Sequence, residues 1–252
     1  MRVLKVELEG LTTSFRYPHF MTGRQPTFPM PPPATIYGHL CSTMGEWVDP
    51  RGLEFSYVFT HDSTMVDTDL EHCQILSVAS TRSKFEYQGR QYKTNLEGTI
   101  NPFKRNFFFR PRLTLYLNRP DWVDYFRHPR HPVVLGRSQD LATYTRVAIV
   151  ELVKRTEVYF EHTLLPFRWS VHTGRGIVLT MPRFLDYENN REPLFDRFVA
   201  LLGLDFTQNW MRYEQQPINH WVDPETPERQ GVQRGLVFHQ FLPSASVKES
   251  WQ

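Results

Sequence analysis

The chain opens on an alternation of apolar and charged residues. In "VLKVELEG" Leu4, Val6 and Leu8 fall on one face and Lys5, Glu7 and Glu9 on the other, the pattern of a strand buried on one side. A loop from Leu11 to Pro32 follows. Ile36, Tyr37, Leu40, Cys41 and Met44 then recur at helical spacing and predict a helix over Ala34–Met44, with Pro33 suited to its first position and Gly45 to its cap. "LEFSYVFTH" alternates through Leu53, Phe55, Tyr57 and Phe59, "CQILSVAS" reads as a further strand, and "RLTLYLN" sets Leu113, Leu115 and Leu117 on one face. "DWVDYFRH" places Trp122, Val123, Tyr125 and Phe126 on one helical face, and "RVAIVELV" returns as a strand. This order is a split βαβ arrangement, so the fold class expected is α+β, with residues 1–153 as a ferredoxin-like domain. An insertion over 81–112 is expected to protrude as a β-hairpin, with Gly89 and Gly98 near its turns.

Past Lys154, "GIVLTM" is strand-like, "EPLFDRFVALLG" has Phe195, Phe198, Val199 and Leu202 at helical spacing with Gly203 as the stop, and "GLVFHQFL" reads as a closing strand. Residues 154–252 are therefore expected to form a smaller, β-rich lobe. "DPETPERQG", Asp223 to Gly231, is expected as an exposed loop.

Charge changes this picture. The net charge is only +2, but residues 80–119 hold nine Lys or Arg against Glu86 and Glu97, so this window carries +7 and the remainder −5. Eight aromatics share the window, from Phe85, Tyr87 and Tyr92 to Phe107, Phe108 and Phe109. Cations interleaved with rings suit single-stranded nucleic acid, whose phosphates they neutralise while bases stack at about 1–3 kcal/mol each. A strand pair with a solvated basic face and a buried aromatic face is the other reading. Lys84, Arg90, Lys93, Lys104 and Arg105, taken as nearest the hairpin tip, are the candidate backbone contacts.

Composition sets outer bounds. A chain of 252 residues with 40% hydrophobic and 14% aromatic residues has material for a sizeable core. Cys41 and Cys73 are too few for a disulfide framework and suggest a reducing cytoplasm. No apolar run approaches the roughly 20 residues that cross a bilayer, and "MRVLKVELEG" lacks the apolar core of a signal peptide, so a cytoplasmic protein without a membrane partner is expected. "HD" at His61 and Asp62 stands alone, no Cys-x-x-Cys occurs, and "TGRG" at Thr173–Gly176 is too short for a phosphate loop, so no metal or cofactor is expected.

Several fragments together carry a family resemblance. The first strand runs on to Ser14, Phe15 and Arg16, "PPPATIYG" (Pro31–Gly38) leads into the first helix, the basic hairpin follows, and "VVLGRSQDLA" (Val133–Ala142) comes after the second helix. In these the chain resembles the CRISPR-associated proteins of family five, RAMP-superfamily subunits of type I Cascade complexes that cap the 5′ handle of the guide RNA (crRNA), and among them subtype I-B. The resemblance covers about 150 residues. It implies an RRM-like ferredoxin domain, a hairpin serving as a thumb over the first guide nucleotides, and no catalysis. The implied partners are crRNA, the Cascade backbone and large subunits, and target DNA in the assembled antiviral ribonucleoprotein. It adds Arg16, His19 and Arg24 before the first helix, and Gly136, Arg137 and Ser138 after the second, as RNA-binding candidates, against ordinary surface groups and a structural turn. The free N–H groups at the start of the first helix are a further possible phosphate site.

Catalysis is the competing reading, since one branch of the resembling family acts as a metal-independent endoribonuclease on precursor crRNA. Such cleavage needs a base, an acid and a cation. The branch's adjacent lysine and histidine are absent here, and Tyr37 with His128 and His131 of "RHPRHP" are the groups that remain.

Overall fold

In the computed structural model the described residues are 1–19, 23–72, 77–78, 84–93, 95–96, 100–210 and 219–243. Their principal elements, in chain order, are β1 (Arg2–Gly10), α1 (Pro33–Met44), β2 (Glu54–Thr60), β3 (Ser63–His72), β4 (Lys84–Tyr87), β5 (Arg90–Lys93), β6 (Ile100–Phe109), β7 (Arg112–Leu117), α2 (Val123–Arg127), β8 (Ala142–Glu151), β9 (Thr163–Pro166), β10 (Ile177–Asp186), β11 (Glu192–Leu201) and β12 (His239–Gln240). The chain is mostly β-sheet with few helices. Of the expected strand Cys73–Ser80, only Ser77–Val78 is described. The expected turn at Gly98 and the residues 81–83 that begin the insertion lie outside the described residues.

Contacts divide the chain into two units. The larger comprises Met1–Phe15, Phe28–Thr64 and Phe108–Gln252, and the smaller Arg16–Thr27 and Met65–Phe107.

The larger unit is built on a five-stranded sheet of order β8-β1-β7-β2-β12, antiparallel throughout. Its register explains the alternation in the sequence. Leu4 lies beside Leu117 and Leu117 beside Phe55, while Val6, Leu115 and Tyr57 make the next row, so one face of three strands is continuously apolar and buried. Ile36 and Leu40 of α1 are fully buried. The helix starts at Pro33, which has no N–H to leave unpaired, and stops at Gly45, whose φ of 79° lets its N–H return to the Cys41 carbonyl at 2.8 Å.

The opposite face of this sheet, with Val3, Lys5 and Tyr116, is also covered. Leu236 packs there with Val3, Tyr116, Val150 and Leu152, joined by Trp221 and Phe238. Lys5, 4% exposed, places its Nζ 2.6 Å from Asp223 Oδ2, and the Tyr116 hydroxyl donates to the same oxygen at 2.9 Å. The segment expected as an exposed loop thus begins on a fully buried aspartate.

Two expected helices come out differently. "DWVDYFRH" forms a 3-10 turn, Pro120–Trp122, and a five-residue helix, α2, on the buried Trp122 and Phe126. "EPLFDRFVALLG" is not helical. It is β11, the central strand of a sheet of order β9-β11-β10, with Phe198 to Leu201 buried in an unbroken run.

Candidate nucleic-acid interface

The smaller unit contains a β-ribbon whose cross-strand pairs are Lys84 with Lys93, Phe85 with Tyr92, Glu86 with Gln91 and Tyr87 with Arg90. Alternation sorts these pairs onto two faces. One carries Phe85, Tyr92, Tyr87 and Arg90, and the other Lys84, Lys93, Glu86 and Gln91. The turn is Gln88–Gly89 with both φ positive, 50° and 73°, the geometry that two-residue hairpins favour. Every side chain from Lys84 to Lys93 is exposed. Phe85 and Tyr92 stack with centroids 5.6 Å apart, yet remain 53% and 42% exposed.

Arg16–His19 and Gly23–Thr27 belong to the same unit. Arg16 bridges to Thr27, and Arg24–Gln25 runs parallel to β6, with Arg24 beside Lys104 and Gln25 beside Arg105. The Lys104 N–H donates to the Gly23 carbonyl at 2.8 Å. Arg16, His19, Arg24 and Lys104 are all exposed, and the His19 ring sits 5.9 Å from that of Tyr17.

Two cation pairs are therefore held directly opposite one another, Lys84 with Lys93 and Arg24 with Lys104. Like charges in such positions destabilise a strand pair. Neither these four residues nor Arg90 has an acidic partner among the described residues. Three further cations of the basic stretch, Arg110, Arg112 and Arg119, are spent within the protein. Arg110 and Arg112 pair with Asp62 at 3.3 and 2.9 Å, and Arg119 pairs with Asp121 at 2.6 Å.

Lys104 and Arg105, expected near the hairpin tip, instead lie on β6, away from the Gln88–Gly89 turn, and Arg105 is buried. Phe108 is buried against Phe59 and Phe15, and Tyr116 against the Lys5 pair, so neither ring is offered to solvent.

The Gly136–Ser138 loop of the larger unit is a clasp. Arg137 donates to Asp140 through Nε at 2.8 Å and Nη2 at 2.7 Å, its backbone N–H donates there too, and Thr12 Oγ1 reaches the same carboxylate at 2.8 Å. Asp140 is 1% exposed, so the Arg137 guanidinium neutralises a buried acid. Gly136, at φ 94°, lies so close to Thr13 and Ser14 that a Cβ would meet them at 2.7 Å. Ser138 is exposed.

The helix N-terminus is poorly suited to an anion. Pro31, Pro32 and Pro33 are buried, the Tyr57 hydroxyl holds the Pro31 carbonyl at 2.7 Å, and the N–H groups of Thr35 and Ile36 already donate to Pro32.

The residues of the catalytic reading sit in unlike settings. Tyr37 is 2% exposed and donates to the Val48 carbonyl, and burial, with the nearby Cys41, pushes its hydroxyl well above the ordinary tyrosine range. His128 caps α2, while the Arg130 N–H ties "RHPRHP" to the Thr43 carbonyl at the end of α1, and both His128 and His131 are exposed.

No protein-family model matches the chain, and no curated protein matches it. Among solved structures, the fold is similar to that of a chain in a CRISPR RNA-guided surveillance complex, with a TM-score of 0.51 at 14% identity over 82% of this chain and 92% of that one. A looser likeness joins it to a CRISPR protein from Archaeoglobus fulgidus, at 0.44 and 11% identity over 95% and 99%. Another joins it to a chain of a type III-B Cmr-beta complex bound to cognate target RNA and AMPPnP, at 0.47 and 10% identity over 82% and 86%.

Proposed function

We propose that this chain is a non-catalytic RNA-binding subunit of a CRISPR effector complex, and that within a type I Cascade it caps the 5′ handle of the guide. The observation that carries this reading is the exposed ribbon, with cations facing cations on one side and uncovered rings on the other. An isolated two-stranded ribbon is marginal in water. A single strand of RNA supplies both missing components, phosphate between the like charges and bases against the rings. The shared fold with a chain of a surveillance complex supports the same reading.

The order β8-β1-β7-β2, with α1 between β1 and β2 and α2 between β7 and β8, reads as a ferredoxin-like arrangement into which the ribbon is inserted as a thumb. The sheet face on which an RRM stacks its bases is here filled by Trp221, Leu236 and Phe238, which moves the RNA contacts to the smaller unit. The backbone and large subunits of Cascade are the protein partners this reading requires, with target DNA entering in the assembled complex.

The test is binding of labelled repeat RNA across a salt series, with native and denaturing gels run in EDTA. Replacing Arg24, Lys84, Arg90, Lys93 and Lys104 by Ala flattens the dependence of log affinity on log salt by about 0.7 for each phosphate that is no longer neutralised. The RNA stays intact, and the 5′ handle is preferred to a scramble. An unchanged slope and affinity removes the thumb from RNA binding, and a clean cut makes the chain a nuclease.

A further inference from the structure

"VHTGRG", Val171 to Gly176, has no part in the reading above, yet its His172, Gly174 and Arg175 line a cavity of about 460 Å³ in the larger unit. That size is in the range of small-ligand sites, about 300–1,000 Å³. Asp205, 8% exposed, lines it. Its Oδ2 accepts from Thr173 Oγ1 and from Trp210 Nε1, the latter at 3.1 Å, which fills both lone pairs of that oxygen. The other oxygen, Oδ1, has no hydrogen-bond partner among the described residues.

Arg175 lines the same cavity. Its Nη1 donates to the Leu204 carbonyl at 3.1 Å and its backbone N–H to Thr173 Oγ1 at 3.2 Å, but no carboxylate among the described residues pairs with it. A half-used carboxylate and an unpaired guanidinium thus share one cavity without meeting. The Trp210 and His172 rings, near-parallel at 11°, also line it.

From these groups we infer that the cavity is a guanine-nucleotide pocket. A ligand satisfying it has a flat ring system for the aromatic wall, an anion for Arg175 and an edge of donors for Asp205. Guanine alone among the RNA bases presents two adjacent N–H donors, N1–H and the 2-amino group, with no acceptor between them. On adenine, cytosine and uracil an acceptor flanks the donor and is repelled by the carboxylate. The same chemistry arrives either as a free nucleotide or as one guanosine of an RNA strand.

The test uses the full chain and its tryptophan fluorescence. GMP and IMP, which differ by the 2-amino group, are titrated in parallel, alongside single-stranded RNAs carrying one guanosine or one inosine. The expected result is about tenfold or more in favour of guanine in at least one pair, and which pair shows it names the source. Asp205→Asn reduces that preference towards one, and Arg175→Ala weakens GMP binding while leaving guanosine unchanged. Replacing Lys84 and Lys93 by Ala leaves the GMP curve where it was, so failure here and failure of the ribbon are distinguishable. Equal binding of guanine and hypoxanthine in both pairs overturns the proposal, and this comparison on the unaltered chain decides even if Asp205→Asn does not fold.

Discussion

Lys5 shows what alternation alone does not reveal. The pattern sets it with Glu7 and Glu9 on the face that reads as solvent, and the structure buries it against Asp223, 218 positions away. Nothing local to "VLKVELEG" signals a partner that far along the chain. The pair is a liability if halved. Asp223→Asn leaves an ammonium that is 4% exposed with only Glu7 and Glu225 at 3.6 and 3.5 Å, and is expected to cost about 3–5 kcal/mol in urea unfolding. Replacing both partners, Lys5→Met with Asp223→Leu, removes the unpaired charge and recovers part of that loss, the rest persisting because the Tyr116 hydroxyl and the Glu225 N–H lose their acceptor. A single variant as stable as the parent would show that the pair contributes nothing. Arg137 teaches the same lesson at shorter range. The glycine and arginine of "LGRS" were legible as a loop, but the arginine's partner, Asp140 three residues on, is an Arg-x-x-Asp spacing that the sequence displays and that ties the turn together.

At the scale of elements, legibility followed how many physical signals agreed. α1 had helical spacing, a proline at its start and a glycine at its stop, and it formed where expected. β1 and β7 had clean alternation, with Leu4, Val6 and Leu8 and then Leu113, Leu115 and Leu117 on one face, and they formed as strands even though the other face is covered too. "EPLFDRFVALLG" had helical spacing and Gly203 as a stop but no start signal, and its apolar run Phe198–Leu201, buried at the end of the strand, is one that spacing does not separate from a helix. Neighbours on both sides, β9 and β10, decided it. The ribbon was visible as charge mixed with rings, but which cations face each other needed the register. Because nothing in the described structure covers its side chains, its amides are expected to exchange with solvent rapidly in the free chain. Binding of single-stranded RNA slows them, while the amides of β1 and β7 stay slow in both states. Hydrogen exchange with and without repeat RNA reads this directly, and ribbon amides that remain fast at saturating RNA would disconnect the ribbon from binding.

For the molecule as a whole, the larger unit is held by burial so complete that it disarms ionisable groups, and stability is expected to depend on pH in a defined direction. Burial pushes His220 and His239 down to about 4, the latter despite its hydrogen bond to the Leu164 carbonyl at 3.0 Å, and lowers His39, His61 and His162 as well. In the unfolded chain a histidine titrates near about 6.5. Between about pH 6.5 and pH 4 the unfolded chain therefore binds more protons than the folded one, and stability is full above that window and falls as pH descends through it. Asp223 adds a later step. Burial alone would raise its carboxyl, but the hydrogen bond and charge of Lys5, with the Glu225 N–H and the Tyr116 hydroxyl, outweigh it and lower it. Its contribution is present above the unfolded value of about 3.9 and is lost only as pH falls through the lower folded value. Urea midpoints at pH 7 and pH 5 separate the two effects, since the carboxylate is still ionised in both states at pH 5. His220 and His239 are each expected to contribute on the order of 2 kcal/mol to the drop. Changing His239 to Gln, which removes the titration while keeping a donor, shrinks the drop by about that amount. A midpoint that is flat from pH 7 to pH 5 would mean that these imidazoles take up protons in the folded chain as readily as in the unfolded one, and would overturn the argument from the burial of His239 against Phe55 and Phe198.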